Sequence, residues 1–268
     1  MTRSIKLSVD DVSKTFRVRG GRYSDDHLLP VLRHISFHVH EGEIVSLIGE
    51  SGCGKTTLLR IVQGLVRLDR GEIRVDGKPV SGPGRDRGFV FQQATLLPWR
   101  SARANVEFGL ELQGLTASQR HKKAQELLEL VGLGAAGEQF PHQLSGGMQQ
   151  RVGLARALAI DPSIMLMDEP FSALDAQTRE VLQLELLRIQ HETGKTTLFV
   201  THDLDEAIFL SNRVIVLGAK PGRIKKIIDI PFGSNRPELP EMRGDATFQS
   251  IRAEMWELIR NSHAPAAA

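Results

Sequence analysis

The eight residues Gly49-Glu50-Ser51-Gly52-Cys53-Gly54-Lys55-Thr56 constrain this chain more than any other stretch. They follow a short apolar, β-branched run, Glu43 to Ile48, and precede a helical pattern from Leu58 to Leu65. Strand, glycine-rich loop and helix, in that order, let a loop wrap a phosphate. Glycines turn successive N–H groups inward, and the helix N-terminus adds its positive end. Lys55 carries the charge to neutralise β- and γ-phosphates. The Thr56 hydroxyl can ligate magnesium, and Thr57 can touch the α-phosphate. The loop residues Gly49, Ser51, Gly52, Cys53 and Gly54 complete the candidate nucleotide contacts. Alone, the loop leaves kinase, GTPase and transport ATPase open. Cys53 is small enough to fit in it. Its amide surroundings are expected to lower the thiol pKa, so that alkylation blocks hydrolysis and nucleotide protects.

Two further elements narrow the field. Met165, Leu166 and Met167 read as a buried strand, with Asp168 and Glu169 emerging at its C-terminal end, where α/β sheets place ligands. Asp168 can hold magnesium through water, and Glu169 can take a proton from an attacking water. Pro170 ends the strand. Ser145-Gly146-Gly147 then supplies a second anion-accepting turn at the start of a helix. One nucleotide does not need two cradles from one chain. The economical reading is that this turn grips the γ-phosphate of ATP held by a second copy, with two-fold symmetry making two composite sites. That reading makes the chain an ATP-driven, dimerising motor.

The 268 residues permit one large domain with a smaller lobe. Strands alternate with helical runs (strands near 164 to 168, 196 to 201 and 213 to 217, a helix over 178 to 192), which favours an α/β fold with a mostly parallel sheet. Residues 5 to 18 and Val31 to Val39 read as strands around a loop marked by Gly20, Gly21, Asp25 and Asp26. Short extended pieces follow between Gly71 and Gly77 and at Gly88 to Gln92. Over roughly 93 to 158 the texture becomes helical, which marks an inserted lobe. Phe248, Ile251, Met255, Leu258 and Ile259 share a helical face, and Ala264 to Ala268 reads as a frayed tail. Basic and acidic side chains number 34 and 32, so charge argues neither for nucleic acid nor for an anionic membrane. Arg17, Arg19, Arg22, Arg85 and Arg87 read as ordinary surface charge. The single cysteine excludes an internal disulfide and agrees with a cytosolic address. No run approaches 18 apolar residues, so any membrane part must come from another chain.

With these motifs in order, the chain resembles the ATP-binding subunit of an ABC transporter over roughly residues 5 to 232. Leu144 to Arg151 is similar to the family signature, and Gly49 to Thr56 and Ile164 to Glu169 to its two nucleotide motifs. The resemblance implies a P-loop NTPase fold of the ABC ATPase type, with a mostly parallel core sheet, an antiparallel β region and an inserted helical subdomain. It implies a nucleotide-binding domain over 1–232, the insert at about 93–158, and a C-terminal helical extension and tail over 233–268. It makes Gln92 the magnesium- and water-contacting glutamine, Asp175 part of the dimer-contact loop in Ser172 to Asp175, and His202 the γ-phosphate switch. It assigns Phe16 to the aromatic that stacks on adenine, with Tyr23 as competitor and a plain strand-core role as the alternative.

A narrower likeness lies in Leu96-Leu97-Pro98-Trp99 and in Gly218 to Ile224. Both resemble importer ATPases for nitrate, sulfonates and taurine. This implies ATP and Mg2+ as cofactors, a homodimer in the ATP-bound state and two transmembrane permease subunits. It also implies a periplasmic or lipid-anchored solute-binding protein and a place on the cytoplasmic face of the membrane. Trp99 is expected near the groove that receives a permease helix, or else as a cap on the lobe's core. Two alternatives stand beside this: an importer ATPase for an unrelated solute, and a non-transport ABC ATPase acting on nucleic acid or ribosomes. The short insert lacks sustained heptads, and only one cassette is present, which count against the second. A small-molecule kinase would explain Gly49 to Thr56 but not Ser145 to Gly147.

Overall fold

The computed structural model describes residues 4–19, 27–218, 220–233, 236 and 239–260. Tyr23, Arg22, the predicted loop at 20 to 26, Ala219 and the tail from 261 lie outside them. In chain order the elements are β1 (Ile5–Val18), β2 (His27–His40), β3 (Ile44–Gly49), α1 (Lys55–Gln63), β4 (Arg70–Val75) and β5 (Lys78–Pro79). Next come β6 (Arg87–Val90), α2 (Ala102–Leu112), α3 (Ala117–Leu130), α4 (Gly146–Ala159), β7 (Ile164–Asp168) and α5 (Ala176–Thr193). The chain continues through β8 (Thr196–Val200), α6 (Leu204–Leu210), β9 (Arg213–Leu217), β10 (Ile224–Asp229), α7 (Leu239–Arg243) and α8 (Ala246–Arg260).

These elements form two compact units, one of residues 1–83 with 198–268, the other of 84–197. In the first, β2, β1, β4 and β5 make an antiparallel sheet in that order. Its alternating pattern buries Leu7, Val9 and Val12 of β1 and leaves intervening polar residues outside, as a sheet with one wet face should. The β1–β2 pair is longer than the apolar pattern at Val31 to Val39 predicts, because Phe16, Arg17 and Val18 continue to pair with Leu29, Leu28 and His27. The same unit holds β3 parallel to β9, with β10 antiparallel on the other side of β9. Strand β3 is buried along its whole length, the near-continuous apolar run that a strand covered on both faces requires.

In the second unit β6 and β7 are parallel. Helices α2, α3 and α4 pack together through Ala102, Val106, Leu110, Ala124, Leu128, Val152 and Ala155, all buried. Each has a side-chain cap: Ser101, Thr116 and Ser145 accept the N–H of the residue three positions on, satisfying donors the helix cannot. This unit is wider than the helical run, since β6, β7 and α5 belong to it. Arg87 corrects its surface assignment. It is 5% exposed, ion-paired with Asp86 at 3.2 Å, and burial lowers its guanidinium pKa.

Candidate functional site

The phosphate loop is built by crowding. Gly49 has φ +154°, and a Cβ there would lie 2.6 Å from the Leu217 carbonyl oxygen. Gly54 caps α1 with φ +101°, and its Cβ would meet Leu32 at 2.6 Å. Strands β2 and β9 therefore press on the loop so closely that only glycine fits. The far side is closed by Gly222, whose Cβ would fall 2.1 Å from the Cys53 carbonyl oxygen. Its N–H donates to Val31 O at 2.8 Å, and its carbonyl accepts from Arg33 N at 2.9 Å. Lys55, 6% exposed, donates from Nζ to the carbonyls of Gly49 at 2.7 Å and Glu50 at 3.1 Å. Its ammonium is thus held over the loop at the end of β3. Thr56 and Thr57 follow on the first turn of α1.

Cys53 overturns its expected reactivity. The side chain is 1% exposed, and burial raises the thiol pKa, outweighing the lowering influence of Lys55 and of neighbouring N–H groups. A buried thiol in apolar surroundings is inert. Its place in the loop follows from size.

Phe16 lies at the outer part of β1, 37% exposed, with the Lys14 ammonium 5.1 Å from its ring centroid. The exposure removes the core-only reading. His202 follows Thr201, whose N–H donates to Leu47 O of β3 at 3.2 Å. Asp203, next in sequence, caps α6 by accepting from Glu206 N at 3.1 Å. The acidic residues after His202 thus build a helix start, as their types predict.

In the second unit β7 carries Asp168 to its C-terminal end, and Glu169 steps off it with φ +46°. A non-glycine residue held there costs about 1–3 kcal/mol and persists only where its surroundings enforce it. Ser172 does so: its hydroxyl and N–H both donate to the Glu169 carbonyl, at 2.9 and 3.2 Å. Ser172 thereby holds the Glu169 backbone in this conformation at the end of β7. Asp175 caps α5, accepting from Thr178 N at 3.0 Å, and this contact lowers its pKa.

Ser145 caps α4, accepting from Met148 N at 3.3 Å. Gly147 is needed by the fold, because a Cβ would fall 2.7 Å from Thr178 Cγ2; Gly146 is open, with nothing nearer than Leu174 at 3.7 Å. Gln92 and Gly146 line one cleft of about 350 Å³, together with Pro170 and Leu174. Trp99 is 71% exposed, which removes the core-cap alternative.

Gln150, inside the signature stretch but given no role by it, and Arg156, outside every motif, hold this region. Gln150 donates to Phe91 O at 2.9 Å, and Arg156 donates to Thr95 O at 3.0 Å and Ala94 O at 2.9 Å. Helix α4 therefore grips the carbonyls on both sides of Gln92. No spacing in α4 signals this, because Gln149 and Arg151 are equally long and polar and lie beside Gln150. Arg156 has its guanidinium pKa lowered by burial.

Within the second unit, the carboxylate of Asp168 and the amide oxygen of Gln92 are hard oxygen donors of the kind magnesium takes, an ion that binds one or two carboxylates and completes its shell with water and substrate phosphates. No cluster of three or more His, Cys, Asp or Glu that could hold a metal ion occurs among the described residues. No helix among the described residues is long and apolar enough to cross a membrane.

The ABC transporter family model matches residues 32–172. The chain is 48% identical to an uncharacterized ABC transporter ATP-binding protein of Methanocaldococcus jannaschii, over 96% of this chain and 92% of that protein. It is 42% identical to the taurine import ATP-binding protein TauB of Ruegeria pomeroyi, over 94% and 93%. Among solved structures it is similar to a dimeric ATP-binding cassette in a post-hydrolysis state with ADP and Pi, at 34% identity and TM-score 0.72, covering 85% of this chain and all of that one. With a crowded phosphate loop, a strained glutamate at a strand end and a serine-capped signature helix in one polypeptide, this chain belongs to the ABC transporter family and is an ATPase of its cassette type.

Proposed function

We propose that this ATPase drives import of a small anion, in the class of taurine, aliphatic sulfonates and nitrate, through two separate transmembrane subunits fed by a solute-binding protein. The likeness to taurine import ATP-binding proteins supports the class of cargo. The observation that carries the motor reading is the open helix start at Ser145-Gly146: an anion cradle that its own unit leaves uncovered. A second copy's ATP supplies what fits there, so the working state is a homodimer at the cytoplasmic face of the membrane.

In this reading Lys55 and the loop N–H groups bind the β- and γ-phosphates, and Phe16 gives the adenine a π-face. Thr56, Asp168 and Gln92 would hold magnesium, which would offset negative charge on the nucleotide's phosphate oxygens. Glu169 takes the proton of the attacking water. His202 donates to the γ-phosphate and orients the attack. Ser145 and the N–H groups of Gly146 and Gly147 receive the same phosphate from the other copy, where fixed donors stabilise developing charge without reorganising. Asp175 orders the segment that runs along the dimer contact.

The test is reconstitution with the transmembrane subunits that copurify with this protein. ATP-dependent uptake of labelled taurine, sulfonate or nitrate into vesicles is expected. Copurification with DNA or ribosomes and no permease would overturn the reading.

A further inference from the structure

Helix α6 directly follows His202 and has only seven residues, Leu204–Leu210. A helix that short has little stability of its own. The C-terminal segment from Arg236 onward grips it at both ends. At the first turn, Asp205 accepts from Arg243 Nε at 2.8 Å on one carboxylate oxygen and from Arg252 Nε at 2.7 Å on the other. Arg243 ends α7 and Arg252 lies in α8, so two helices converge on one side chain. At the last turn, Arg236 donates to the carbonyls of Ile208 at 3.0 Å, of Phe209, and of Ser211 at 2.5 Å. These are the carbonyls a helix end leaves without partners, and a cation there also meets the negative end of the helix dipole. Burial pulls the Arg236 guanidinium down to about 10, which still leaves it charged at neutral pH.

The segment is anchored elsewhere too. Phe248 and Met255 are fully buried, and Met242 of α7 nearly so. Lys225 of β10 donates to Leu258 O at 2.9 Å near the end of α8, and Lys226 pairs with Glu254. The link to His202 is short. Thr201 is fixed to β3 through Leu47 O, and its hydroxyl accepts from Asp203 N at 3.0 Å. Asp203 caps α6. His202 is the one residue between these two fixed points, so its backbone is set by Thr201 on one side and by the start of α6 on the other.

We propose that the C-terminal segment is a splint for α6, and that Arg236, Arg243 and Arg252, acting with Asp205, are positioning residues for His202. The catalytic consequence rests on the role given to His202 above; the positioning itself does not.

The experiment uses the full chain with Arg243 and Arg252, both surface side chains, replaced together by Met, beside an Arg243→Lys/Arg252→Lys double variant, Arg236→Lys and His202→Ala. The imidazole resonance of His202, assigned by its absence from the His202→Ala spectrum, is expected to shift and broaden in the Met variant and to return in the Lys variant. Turnover is expected to fall about tenfold in the Met variant with MgATP affinity within twofold of wild type. Arg236→Lys, which keeps charge but loses the fork, is expected to show the same loss in milder form. An unmoved His202 resonance, or a wild-type rate in the Met variant, overturns the splint. A rate loss matched by an equal fall in MgATP affinity and in melting temperature does so as well, since it marks a general folding role. A His202→Ala protein that turns over at the wild-type rate sinks the role of His202 instead, while the resonance still decides the splint.

Discussion

The two anion cradles are made in opposite ways. At the start of α1, glycines at positive φ are wedged between neighbouring strands, and Lys55 is already tied to the loop's own carbonyls. At the start of α4, Ser145 is in ordinary extended geometry and caps its helix, and a methyl on the next glycine would meet nothing closer than an ordinary contact with Leu174 at 3.7 Å. The first cradle is finished by its fold. The second, in the function proposed above, is half of a site that another copy completes. Gly54 cannot carry a side chain because the protein itself is in the way, whereas at Gly146 whatever needs the room comes from outside the unit.

The sharpest way to break that contrast is Gly49→Ala. The new methyl meets the Leu217 carbonyl at a backbone angle that L-residues rarely adopt. Strain and clash together should cost about 2–5 kcal/mol, and MgATP binding should disappear with the loop's shape. Urea unfolding with a nucleotide titration reads both. A variant as stable as wild type that still binds ATP would mean the loop is not held by crowding.

Next in size is Glu169→Gln, which keeps the shape of the strained residue and removes its charge. Turnover should fall by roughly 10²–10⁴, the usual contribution of a positioned base. ATP binding and melting temperature should stay put, and the ATP-bound dimer should accumulate. Single-turnover kinetics with size-exclusion chromatography measures both. A monomer under these conditions would leave the open cradle at Ser145 without an occupant.

Gly146→Ala then sharpens the comparison, because it should do the reverse of Gly49→Ala. No atom of its own unit lies within ordinary clash distance, and alanine is a better helix former by up to about 1 kcal/mol. Stability should hold or rise slightly, MgATP binding to the single chain should be unchanged, and turnover should drop by about tenfold as the dimer fits less closely. Loss of stability instead would show that this glycine serves its own fold after all.

Much of this was readable from the chain because the decisive contacts are local. A phosphate loop, a strand-end acid pair and a helix cap each span a few residues, so their order in sequence is their order in space. Arg213 to Leu217 forms β9 as the apolar run predicts, and Gly194 ends α5 in the left-handed conformation. Distant packing was not readable. Cys53 is inert because Gly49 and the neighbouring strands close over it, and no spacing rule reports that. Arg87 reads as surface charge in sequence yet is buried, and nothing local in the sequence ties the half-buried Arg236 to helix-end carbonyls 25 to 28 positions away. Strand β10 escaped notice because its Lys225 and Lys226 break the apolar pattern; it pairs as an edge strand, where charged residues are common.

The smallest effect separates the two caps beside the open cradle. Ser145 caps α4 with a hydroxyl, and Asp175 caps α5 with a carboxylate whose pKa lies below its ordinary value of 3.8, because the Thr178 N–H donates to the charged form. Ser145→Ala should cost about 1 kcal/mol, and the cost should be the same at every pH, since nothing in that contact titrates. For Asp175 the folded state releases its proton more readily than the unfolded chain. The cap's contribution is therefore complete above the unfolded pKa and fades as pH falls through the lower, folded value. Asp175→Ser should lose little at neutral pH, and its difference from wild type should shrink as the pH drops below about 4. Taking that difference matters, because Asp69 and Asp161 also have lowered pKa values and add their own acid sensitivity. Denaturant melts of both cap variants between pH 7 and pH 2 give the comparison directly. A Ser145→Ala penalty that changes with pH would mean its hydroxyl is coupled to a titrating neighbour, and the serine cap would then not be the neutral half-site described here.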